Sequence, residues 1–76
     1  SIAAGARVSG SVLWDNVTIG AGAAVSDSVL ADGSRIGAGA VVRGVVLGQG
    51  AEVADGDEPP VGTRVAPDTR WSAAEA

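Results

Sequence analysis

Large aliphatic residues return to the same places every seventeen positions. Ile2, Ile19, Ile36 and Val53 make one column, Val8, Val25 and Val42 a second, and Leu13, Leu30 and Leu47 a third, separated by steps of six, five and six residues. Small residues stand two positions before two of these columns: Ala6, Ala23 and Ala40 precede the valines, while Val17, Ser34 and Ala51 precede the isoleucine column. Side chains alternate faces along a strand, so an aliphatic residue and the residue two before it point the same way. The pattern predicts three short strands in each seventeen residues, with the aliphatics facing inward.

Between the strands stand residues suited to corners. Gly5, Gly10, Asn16, Gly22, Asp27, Gly33, Gly39, Gly44, Gly50 and Gly56 occupy the matching positions of successive repeats. All ten belong to the residue types that tolerate a left-handed backbone, which lets a chain turn sharply at low cost. The steps are too short for helices, which need roughly 10–12 residues. They are also too short to cross over and return in a sandwich. A coil with three flat sides fits, each side stacking on the same side of the next coil as a parallel sheet. Because a solenoid coil contacts only its neighbours, a sequence that fits one level fits the next, and this accounts for the near-identity of IGAGAAV (19–25) and IGAGAVV (36–42).

The expected fold is therefore an all-β, single-stranded parallel β-helix of about three to four coils, with regular coils over 1–56 and a degenerate final coil, end cap or tail over 57–76. The latter segment carries the three prolines, and Pro59 falls where the aliphatic after Val53 should recur. Proline cannot donate to a central ladder, so this region reads as the last edge. Val61-Gly62 with Val65 would make one more hexad after a two-residue insertion, or begin a tail. Trp71 is expected to fold as a lid over the open end, with an exposed or partner-inserted indole as the alternative, and the final SAAEA is expected to fray.

Composition narrows the chemistry. The 76 residues contain no His, Cys, Lys, Tyr, Phe or Met. The most frequent general base, the thiolate metal ligand and the phosphate-binding lysine are thus missing together. A net charge of −4 with five Arg argues against a nucleic-acid or anionic membrane partner. No apolar run approaches the roughly 20 residues of a membrane span. The chain opens at Ser1 without Met and is expected to be a piece or processed product of something longer.

The fragments IGAGAA, IGAGAV and IAAGAR resemble the hexapeptide repeat of left-handed β-helices, over positions 1 to about 56. The left hand is implied by that resemblance, since general topology favours right-handed crossovers. The longer phrase SVLWDNVTIGAGAAVSDSVLADGSRIGAGAVV is similar to the C-terminal domain of sugar-1-phosphate nucleotidyltransferases, the mannose-1-phosphate guanylyltransferase type in particular. The resemblance implies a cytoplasmic module for assembly or regulation, behind an N-terminal catalytic domain that makes a nucleotide sugar and is expected to use Mg as divalent cation. Nothing here matches that domain's glycine-rich loop, so no catalytic or cofactor-binding residue carries over, and no cofactor is expected in this chain.

Three fragments, GAGAAV at 20, GAGAVV at 37 and GQGAEV at 48, begin like a dinucleotide fingerprint. Each lacks the third glycine and a following helix, and reads instead as a solenoid corner. Asp15, Asp32, Asp55 and Asp57 would form a weak cation site at the corners or, by preference, local Asx turns. Hexapeptide acyltransferases and γ-type carbonic anhydrases resemble the chain in their repeats but depend on histidine. An independent adaptor subunit remains the alternative, decided by whether a nucleotide-binding domain is encoded before Ser1. Ice-binding solenoids need flat threonine arrays, and only Thr18, Thr63 and Thr69 are present.

The alternate positions would face outward: Val12, Val29 and Val46 on one side, Arg7, Ala24 and Val41 on the next, and Thr18, Arg35 and Glu52 on the third. An aligned valine column with Trp14 at its edge is the kind of patch that marks a contact surface. A homo-oligomer using Val12, Trp14, Val29, Val46 and Val41 is expected. Reversed parity, with valines in and leucines out, is the competing arrangement.

Overall fold

The computed structural model describes residues 2–73. Eleven short strands follow one another: β1 (Arg7–Ser9), β2 (Val12–Leu13), β3 (Thr18–Ile19), β4 (Ala24–Ser26), β5 (Val29–Leu30), β6 (Arg35–Ile36), β7 (Val41–Arg43), β8 (Val46–Leu47), β9 (Glu52–Val53), β10 (Arg64–Val65) and β11 (Arg70–Trp71). They stack into three parallel sheets, β1-β4-β7, β2-β5-β8-β10 and β3-β6-β9-β11, which are the three sides of a β-solenoid of about four coils. The registers are those of the columns: Val8 on Val25 on Val42, Leu13 on Leu30 on Leu47, and Ile19 on Ile36 on Val53, with Ile2 bridging to Ile19. Ile19, Leu30, Val42, Leu47 and Val53 are wholly buried.

The ladders continue beyond residue 56. Pro59 is buried one step after Val53, Val65 pairs with Leu47, and Trp71 pairs with Val53. Among the described residues Trp71 is therefore the last rung of the isoleucine column, half-buried against the core as a ladder member rather than as a folded-over lid. The β1-β4-β7 sheet stops at three strands, because the next inward position is Pro59, which has no N–H to give. The expected fraying of SAAEA concerns a segment whose last three residues lie outside the described ones.

Two of the three corners close with backbone turns, such as Ala40 N–H to Gly37 O (3.2 Å) and Ala51 N–H to Gly48 O (3.0 Å). The third corner, spanned by the five-residue step, uses serine instead. Ser11 Oγ donates to Ser9 O and accepts from Ser28 N–H, and Ser28 Oγ donates to Ser26 O and accepts from Val45 N–H (3.2 Å). Each hydroxyl thus satisfies a backbone donor of the following coil. Val45 ends the relay, since it offers no acceptor to Thr63, the residue stacked on it. Here the chain is one residue longer. Thr63 N–H turns back to Pro60 O (3.1 Å), and the step from Pro59 to Val65 becomes six residues. A further hexad opening at Val61 after a two-residue insertion is not formed: Pro59 takes the inward place, Val61 is 76% exposed, and the insertion is a single residue between Pro59 and Val65.

Candidate functional site

The corner residues share one backbone state. Gly5, Gly10, Gly22, Gly33, Gly39, Gly44, Gly50 and Gly56 have φ between 57° and 77°, and Asn16 and Asp27 have φ of 61° and 50°. Gly62 (φ 90°) and Asp68 (φ 58°) belong to the same set. They continue the six-residue step from Gly56 and escaped the sequence reading because the lengthened corner broke the seventeen-residue count. At Gly39 an added Cβ would meet nothing within 4 Å. Gly39→Val is therefore expected to cost more than about 1 kcal/mol through backbone strain alone. Asp27→Gly, which keeps a residue at ease in this conformation, should be nearly neutral. Thermal melts of the two variants beside the parent check both.

The corner carboxylates act between coils. Asp55 Oδ1 accepts Ala38 N–H (3.0 Å), Asp57 Oδ2 accepts Ala73 N–H (3.1 Å), and Asp32 Oδ1 accepts the Asn16 amide (3.3 Å). These bonds span 16 or 17 residues in sequence, so at Asp32, Asp55 and Asp57 they are ties across the stack rather than the local Asx turns that were favoured. Among the described residues, no group of three or more His, Cys, Asp or Glu gathers as metal ligands, and no helix is long and apolar enough to cross a membrane.

The outward columns leave one side apolar. Val12, Val29 and Val46 are 54%, 38% and 43% exposed, while Leu30 and Leu47 beside them are wholly buried, so the valines face out and the leucines in. Below them the same column ends in Arg64. Val41 stands on the adjacent side, stacked on Ala24 and half-buried. The third side carries Thr18, Arg35, Glu52 and Arg70, with Arg70 Nε 4.0 Å from a Glu52 oxygen; that pair is solvent-exposed and contributes little.

Beside the valines, Trp14 of the first coil is followed one coil on by the small Ala31. The indole is 61% exposed. The result is an open groove of about 500 Å³ lined by Trp14, Asp15, Ala31, Asp32 and Gln49. An aromatic face, two carboxylates and an amide can bind a cation or a hydrogen-bonding surface. The large-then-small column was visible in the sequence, yet only the stacking shows that it leaves space. A family model described as GlmU-like, C-terminal hexapeptide, matches residues 1–74. No curated protein matches the chain.

Proposed function

The chain belongs to the GlmU-like C-terminal hexapeptide family, and on that premise we propose that it is the non-catalytic β-helix domain of a sugar-1-phosphate nucleotidyltransferase, serving assembly or regulation. The left-handed coil accords with that family. The observation that carries the reading is the uncovered valine side, with Trp14 at its edge, on a stack whose polar corners are occupied in holding coil to coil. A module of this kind contributes surface rather than chemistry. Catalysis, with its divalent cation, would belong to an N-terminal domain, and a cytoplasmic location goes with that reading.

Self-association through the valine side is the corresponding expectation. Val29→Asp, a charge in the middle of the apolar column, should shift the chain towards monomer, whereas Arg35→Asp on the polar third side should not. Sedimentation of the parent and both variants decides it. If the parent is monomeric, or if Val29→Asp remains fully assembled, the side serves another contact. The purified chain should also neither form nucleotide sugar from a sugar phosphate and a nucleoside triphosphate nor transfer an acyl group. Turnover that survives repurification would overturn the scaffold reading.

A further inference from the structure

The groove at Trp14 has a lining that selects among ligands. It combines one indole, one small apolar residue, two carboxylates and an amide. The surroundings continue the same chemistry. Asn16 follows Asp15, and its amide donates to Asp32 Oδ1 (3.3 Å). Asp68 N–H donates to Gln49 O (2.9 Å), which sets a third, exposed acidic residue beside Gln49. The Asp15 carboxylate itself makes no hydrogen bond or ion pair among the described residues.

Three classes of ligand meet this lining differently. Anions are opposed, because Asp15, Asp32 and Asp68 stand around an opening that no cationic side chain lines. An organic cation would be drawn to the carboxylates, yet the chain's own cations are not. Arg35 follows Asp32 by three residues and Arg64 precedes Asp68 by four, and neither pairs with a groove carboxylate; Arg70 on the third side meets Glu52 instead. The donor that does meet a groove carboxylate is neutral, the Asn16 amide. The third class is a neutral molecule that is apolar on one face and carries hydroxyl groups around its edge. A pyranose sugar has this form. Its ring C–H groups make an apolar patch that lies against an indole, and its hydroxyls donate to carboxylates and both donate to and accept from a primary amide. The volume of about 500 Å³ falls within the roughly 300–1,000 Å³ of small-molecule sites. The open form also admits one residue of a longer glycan whose neighbours lie outside.

We propose that the Trp14 groove binds a neutral pyranose sugar, with the ring stacked on Trp14 and the hydroxyls bonded to Asp15, Asp32 and Gln49. Contact on one open face makes the binding weak, with a dissociation constant on the order of 1–10 mM. A sugar phosphate is a poor ligand here, since its phosphate meets the carboxylates. The inference does not need self-association: a monomeric chain that binds sugar leaves it standing and ends the assembly reading.

Nitrogen-15 NMR of the whole chain reads the indole N–H signals of Trp14 and Trp71 separately, and Trp14→Ala assigns them. The chain is titrated with D-glucose, D-mannose, D-galactose, maltotriose and cellotriose to about 50 mM, well above the expected dissociation constant. At least one sugar should move the Trp14 signal along a saturating curve and leave that of Trp71 in place. A trisaccharide binding more tightly than glucose marks a glycan residue as the ligand, and equal affinity marks the free sugar. Asp15→Asn keeps the hydrogen-bonding capacity without the charge, so it should change the dissociation constant by less than about threefold. Glucose 1-phosphate should bind at least about tenfold more weakly than glucose. Trp14 and Asp15 are both exposed, and circular dichroism checks that the variants keep the parent's fold. Absence of a saturable Trp14 shift with every sugar overturns the proposal, as does glucose 1-phosphate binding as tightly as glucose. Arginine amide binding more tightly than any sugar, and losing its affinity in salt or in Asp15→Asn, overturns it in favour of a cation site.

Discussion

Gly37→Ala is expected to destabilise the chain by about 3 kcal/mol, the upper part of the range for forcing one carbon into a packed interior. The new Cβ would stand 2.5 Å from Asp55 N and 2.7 Å from Ala54 C, both backbone atoms of the coil stacked on it. Neither can step aside cheaply. Gly37 N–H is bonded to Val53 O at 2.9 Å, and Asp55 is tied to Ala38 N–H at 3.0 Å, so moving the coils apart strains these bonds together. Gly39→Ala, two residues away, is the control. It meets open space and bears only the cost of its φ of 70°, about 1 kcal/mol. Urea titrations of the two variants should therefore separate clearly. Equal midpoints would mean that the coils are not in contact at Gly37.

Leu30→Ala should cost about 2–5 kcal/mol, as for other wholly buried leucines. Leu30 is 0% exposed and stacks between Leu13 and Leu47, so truncation removes contacts on both sides. The neighbouring coils are fixed by Trp14 N–H to Leu30 O (2.9 Å) and Ala31 N–H to Leu47 O (3.1 Å), which limits collapse into the space. Ile2→Ala, at a position 55% exposed and bound by a single bridge, should cost far less. A denaturation series over Ile2, Leu30 and Leu47 should show the loss growing from the first coil to the middle. A uniform loss would contradict a stack in which each rung depends on its neighbours.

Most of this architecture could be read directly from residues 1–56, because identical residues recur where identical environments recur. Ile19 and Ile36, or Leu30 and Leu47, announce their register by their spacing. The reading weakened where one side chain changed the local accounting of hydrogen bonds. Val45 in place of serine withdraws an acceptor, the next corner lengthens by one residue, and Val65, Trp71, Gly62 and Asp68 move out of the seventeen-residue frame although their places in the fold are unchanged. The roles of Asp32, Asp55 and Asp57 were hidden for a related reason, since a carboxylate that bridges coils carries the same local sequence as one that closes its own turn. The groove depends on what stands beneath Trp14. That is a property of residues seventeen apart, such as Trp14 and Ala31, neither of which is informative alone.

The even spacing of the coils has a kinetic consequence. Apart from the lengthened last corner, every cross-strand pair closes a loop of the same length: Arg7 with Ala24, Val29 with Val46, Ile36 with Val53. Loop-closure entropy depends on that length, so no rung is intrinsically slower to form than another. Folding can then start at whichever pair of adjacent coils is most apolar, and each later coil adds to a ready edge. The pair β5 and β8, whose Leu30 and Leu47 are both wholly buried, is the natural nucleus. Growth proceeds outward from it in both directions, like a zipper with two sliders. One slider runs towards Ile2 and the other towards Trp71.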